Sequence, residues 1–157
     1  MHRSRFLTWV VFFALAAALP AAAKDLAVVV NKANETKTIS AAELTKLLKN
    51  GTKKWNNGQD IIIVMRDPNA PEMRVLLQKV YGVSPEQLKS LVASANQGRS
   101  TPAFVIADSD EVILKMVSST AGAVGICDVY TINSSVSVLK VDGKMPLEPG
   151  YLLHGVW

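Results

Sequence analysis

Three short aliphatic runs at residues 26–30 (LAVVV), 61–65 (IIIVM) and 123–127 (AVGIC) constrain this chain most, because none of them alternates with polar residues. A strand that is apolar at every position buries both faces, and this requires a covering layer above and below the sheet. The segments between the runs supply such layers. Ser40-Ala41-Ala42-Glu43 is a capping box, Leu44, Leu47 and Leu48 give the following turns an apolar face, and Asn50-Gly51 ends the helix. Pro71 suits a first helical turn, with Val75, Leu76, Leu77 and Val80 spaced helically up to Gly82. Ser84-Pro85-Glu86-Gln87 opens another helix carrying Leu88, Leu91 and Val92. Residues 104–106 form a short strand candidate, after which Asp108 reads as the N-cap of a helix with Glu111, Val112, Ile113, Met116 and Val117. Residues 136–141 alternate and end in the turn Asp142-Gly143. Strands alternating with helices predict an α/β fold, a mainly parallel sheet flanked by helices, in which 26–30, 61–65 and 123–127 are parallel strands.

The first 23 residues read differently. Arg3 and Arg5 precede an apolar stretch from Phe6 to Leu19 and the small residues of Pro20-Ala21-Ala22-Ala23. This is the pattern of a signal peptide cut after Ala23, and the apolar stretch is shorter than the ~20 residues a spanning helix needs. The expectation is a signal peptide at 1–23, one domain at 24–157, a periplasmic or secreted location and no stable membrane anchor after cleavage. Of the 17 basic residues two lie in the leader, so the net charge of +4 falls to +2 against 13 acidic residues. Such a mild balance speaks against nucleic acid as a partner.

Chemistry-bearing residues are few. Past the leader, His154 is the only histidine and Cys127 the only cysteine, which excludes an internal disulfide and any zinc or haem cluster. Cys127 lies inside an apolar strand, where an inert buried thiol is expected. No Gly-x-Ser-x-Gly elbow or phosphate-cradling glycine loop occurs. Asp108, Asp110 and Glu111 fit the acidic first turn of a helix better than a cation site. The reading is a protein that is not an enzyme and carries no cofactor or metal.

One constellation remains: Arg66 at a strand end, the loop Asp67-Pro68-Asn69-Ala70, and a helix start at Pro71-Glu72-Met73-Arg74. Beyond the carboxyl ends of parallel strands, helix amides and an arginine fork converge on anions. The candidate ligand-binding residues are therefore Arg66, Asn69, Glu72, Met73 and Arg74, with the N–H groups of Glu72 and Met73 taken as free donors. The competing reading pairs Arg66 and Arg74 with Asp67 and Glu72 on the surface.

The order of these segments resembles the phosphate ABC transporter-type periplasmic substrate-binding proteins, in particular small single-lobe relatives with the type 2 periplasmic-binding fold. The resemblance runs from about 26 to 141, through Val30-Asn31, Ile39-Ser40-Ala41-Ala42-Glu43-Leu44, Gly51 to Trp55, Val64-Met65-Arg66, and Ala121-Gly122-Ala123-Val124-Gly125-Ile126. It implies a solute-binding-like module that recognises a small anion such as phosphate, or an envelope protein partner. It also implies that Arg66 is the strand-end arginine, that Trp55 is a core-edge aromatic, and that Gly122 and Gly125 lie where the strand passes close to other backbone. Ala70 stands where the family's anion site has serine and Met73 where relatives often have arginine. Those departures favour the alternative, an envelope interaction or sensory module that has lost ligand binding.

Overall fold

The computed structural model describes residues 24–157, so the expected leader and its cleavage point lie outside the described residues. The first apolar run forms the middle of strand β1 (Lys24–Asn31). Its side chains part alternately into two cores: Leu26, Val28 and Val30 enter one cluster, Ala27 and Val29 the other. That division explains the lack of alternation in the sequence, since both faces of β1 are covered. Helices α1 (Ala41–Leu48), α2 (Met73–Leu76) and α3 (Pro85–Asn96) close the larger core through residues such as Leu44, Leu76 and Leu88. Helix α4 (Asp110–Ser119) closes the smaller one through Ile113, Leu114 and Val117.

The second and third runs form β3 (Ile62–Arg66) and β5 (Ala123–Asp128), joined in the sheet by β4 (Phe104–Ala107). The order is β4-β3-β5-β1-β6, with β6 at Val136–Val138 and the short β8 (His154–Gly155) also on β1. β3 runs parallel to β4 and to β5, whereas β1 is antiparallel to β5, β6 and β8. Every strand of this sheet except β1 thus runs one way, and the mixed α/β fold with a mainly parallel sheet flanked by helices is present. The expectation that 26–30 is itself a parallel strand is corrected. A continuous apolar run reports burial on both faces, and a central antiparallel strand between two layers meets that condition equally well. A second sheet pairs β2 (Thr38–Ile39) with β7 (Lys140–Val141). The Asp142-Gly143 turn closes as expected, with Val141 and Lys144 exchanging backbone hydrogen bonds at 2.9 and 3.0 Å and both turn residues at positive φ.

Both capping boxes form, at Ser40 with Glu43 and at Ser84 with Gln87. The cap of α4 is Ser109, whose hydroxyl accepts the Val112 N–H, and not Asp108. The helix expected from Pro71 to Gly82 is divided: Pro71 and Glu72 lie in a turn, α2 covers one α-helical turn, and Leu77–Tyr81 continues as a π-helical turn. Two glycines are required by close approach. A Cβ on Gly122 would stand 2.0 Å from the carbonyl oxygen of Asp60, and one on Gly125 would meet Ile113 and Val117 of α4 at 2.6 and 2.8 Å. Gly122 therefore faces backbone, as expected, while Gly125 makes room for helix side chains.

Candidate functional site

Because β3, β4 and β5 run together, their carboxyl ends bring three loops to one edge. Arg66 ends β3 and lies level with Ala107 of β4, and α4 starts three residues beyond Ala107. The result is an ion triad. Arg66 Nη1 is 3.0 Å from Glu72 Oε1 and 3.7 Å from Asp110 Oδ1, with the three side chains 27%, 15% and 9% exposed. Asp110 is further held by the backbone N–H of Asp128 and the Thr131 hydroxyl, which donate to its Oδ2 at 3.0 and 3.4 Å. Arg66 Nε and Asp110 Oδ1 are buried without a hydrogen-bond partner. One cation faces two carboxylates, so the triad is net negative when all three are ionised.

Burial pushes the Asp110 carboxyl above the ordinary carboxylate range, and the charges of Glu72 and Asp128 add to that, against the Asp128 N–H and Arg66, which hold it down. An incoming dianion at Arg66 would meet the charge of these two carboxylates. Two of the other predicted backbone donors are also committed. The Asn69 N–H donates to Asp67 Oδ1 at 2.8 Å, and the Met73 N–H donates to the Ala70 carbonyl at 3.0 Å. Met73 is 1% exposed in the larger core, so its N–H is not a free donor and its side chain is not at the edge. Arg74 is exposed and makes no ion pair among the described residues. Of the five predicted residues, the structure brings Arg66 and Glu72 into direct contact, but as each other's partners.

Asp110 is the residue sequence reading missed. Its type and position gave only a helix-cap signal, and its contact with Arg66 depends on β4 lying next to β3, which no local spacing encodes. At the far end of the chain, His154 Nδ1 lies 2.7 Å from Oδ1 of Asp25, which is 1% exposed and accepts the Leu147 N–H through Oδ2. No hydroxyl or thiol hydrogen-bonds this ring among the described residues, so no nucleophile is armed by it. Burial pushes the Cys127 thiol up to about 12, in keeping with an inert core cysteine. No group of three or more metal-ligating side chains that could hold a metal ion occurs among the described residues, and no helix there is long and apolar enough to cross a membrane.

Comparison with known proteins bears on the family and the fold. The family model described as PBP superfamily domain matches residues 14–148. An ABC-type phosphate transport receptor from Vibrio cholerae superposes with a TM-score of 0.69 at 19% identity over 85% of this chain and 54% of that one. A Clostridium perfringens protein, assigned to a phosphate ABC transporter as its substrate-binding component and solved with bound phosphate, gives 0.70 at 20% identity over 86% and 54%. PstS from Borrelia burgdorferi gives 0.67 at 16% identity over 87% and 56%. The chain thus spans a little over half the length of these structures. None of the curated proteins compared matches it. With most of its length matched by the family model, and with the fold of phosphate-binding proteins, the chain belongs to the PBP superfamily domain family.

Proposed function

We infer that this chain is an exported, non-enzymatic binding module of the PBP type in which the strand-end anion site is closed by the chain's own carboxylates. The observation that carries the reading is the 3.0 Å pair between Arg66 and Glu72, backed by the buried Asp110. Glu72 occupies the guanidinium that an oxyanion would use, and a dianion entering there would face net negative charge at low dielectric. The module then works through contact with another molecule of the envelope and not as a high-affinity phosphate carrier. The leader-like segment 1–23 supports export. A second reading, weak capture of a small anion, draws on the unpartnered Arg66 Nε. Calorimetric titration with phosphate and sulfate near neutral pH separates the two. The inferred module gives no measurable heat of binding, whereas affinity that disappears in Arg66→Ala supports the anion reading.

A further inference from the structure

A groove of about 510 Å³ lies where α1 and α3 both end, with Lys49, Lys53 and Arg99 on its walls beside Leu91 and Ala95. The Lys53 carbonyl accepts the Ile61 N–H at 3.0 Å, just ahead of β3, and Arg99 lies on the loop that leads into β4. The groove therefore sits at the amino ends of strands whose carboxyl ends meet Arg66. Its volume falls within the ~300 to 1,000 Å³ usual for ligand sites.

Every charged side chain on these walls is a cation, and none of the three makes an ion pair among the described residues. Asp60, whose carboxyl Lys54 and more weakly Arg99 hold below the ordinary range, is committed to Lys54 at 2.7 Å. Helix carboxyl ends attract cations, which accounts for part of the cluster. About half a negative charge at each of two helix ends offsets about one of the three cations, and about two positive charges remain. The walls are also held in place. The Asn96 side chain accepts the N–H groups of Ala103 and Phe104 and donates to the Phe104 carbonyl, all at 2.9 Å, which pins the end of α3 to β4. Arg99 Nε donates to the Thr101 carbonyl at 3.2 Å, leaving the terminal nitrogens of the fork for a carboxylate.

Leu91 and Ala95 stand one helical turn apart and half-buried, so the groove has an apolar wall as well as charge. Asn50 and Gln97 line it too, and their amides donate and accept as peptide groups require. A free phosphate or sulfate would leave the apolar wall bare, a nucleic acid would find no aromatic ring to stack on, and a flat membrane does not fill a groove. Resting on the reading of the chain as a contact module, we propose that this groove takes an acidic peptide segment of a partner protein, with carboxylates on Lys49, Lys53 and Arg99 and an apolar side chain against Leu91 and Ala95.

NMR titration of the purified protein at low ionic strength with acetyl-Glu-Asp-Leu-Glu-Asp-amide tests it, alongside the neutral Gln-Asn-Leu-Gln-Asn counterpart, citrate and phosphatidylglycerol vesicles. The acidic peptide should bind with a Kd of about 1 mM or tighter and shift amides within 49–53 and 91–99. Lys49→Gln with Lys53→Gln should weaken it about three- to tenfold. Lys115→Gln with Lys140→Gln, which removes equal charge elsewhere, should leave it unmoved. All four lysines are exposed, so neither double variant disturbs the core. Absence of binding, shifts confined to other residues, equal losses in the two double variants, or binding as tight by the neutral peptide, citrate or vesicles overturns the assignment. Silence in this titration strikes the groove alone, whereas phosphate affinity lost in Arg66→Ala strikes the closed anion site at the other end of the strands.

Discussion

Asp110 is caught between burial, which disfavours its charge, and Arg66, which favours it; the first dominates and its carboxyl titrates above the ordinary range. A raised carboxylate pKa means that the folded state takes up its proton more readily than the unfolded chain. Ionised Asp110 therefore costs stability, and the cost is relieved as pH falls through the folded value towards the usual carboxylate range. Asp110→Asn, which cannot titrate, should gain in melting temperature relative to wild type as pH rises from about 4 to 7, as read in paired thermal melts. Arg66→Ala removes the shared cation and leaves Glu72 and Asp110 facing each other without it. It should cost about 2 to 4 kcal/mol near neutral pH and less in acid, measured by urea unfolding. Cys127 belongs to the same scale. With its thiol pushed up to about 12 and buried, it should resist a thiol reagent in the native protein at neutral pH and react once the chain is unfolded. The inert cysteine was legible because it needed only its apolar neighbours. Of the triad, the Arg66–Glu72 pair was open to sequence reading as the competing alternative, whereas Asp110 was not, since Arg66 and Asp110 meet only through strand order.

Among the elements, those with a complete local code were readable. Ser40-Ala41-Ala42-Glu43 and Ser84-Pro85-Glu86-Gln87 each carry both halves of a capping box, and both boxes close. Ser84→Ala should lower stability by roughly 1 kcal/mol, visible as a shifted urea midpoint at constant slope. Where two residue types compete for one role the local code failed: Asp108 and Ser109 are both good caps, and the structure uses the serine. The division of the expected helix after Pro71 arises from packing, since Val75, Leu76, Leu77, Val80 and Tyr81 are all buried and the turn widens through the second half of that stretch. Burial of Met73 also argues against rebuilding an anion site there, because an arginine at that position would place its charge in the core. Close approach gives the sharpest element-level expectation. Gly122→Ala would set a methyl group against the Asp60 carbonyl at the start of β3 and β5, so its destabilisation should be at least ~2 kcal/mol by urea unfolding.

At the scale of the whole molecule, two-faced burial was written into the apolar runs, so the layered α/β fold could be read before its topology. Strand direction could not. β1 is buried on both sides whichever way it runs, and its antiparallel pairing with β5 is set by the connections around it. The proposed export belongs to the same scale: protein recovered from an envelope fraction should, by intact mass measurement, begin at or near Lys24, and an intact Met1 would contradict it. The central claim is that the chain's own carboxylates hold the family-type anion site closed, and charge removal tests it most directly. Glu72→Gln combined with Asp110→Asn keeps Arg66 while removing both competing charges, and sulfate remains a dianion across the accessible pH range. Calorimetric titration near neutral pH should show no binding of sulfate to wild type, and binding to the folded double variant that is lost again when Arg66→Ala is added. Tight sulfate or phosphate binding by wild type, or a folded double variant that stays silent, would contradict it.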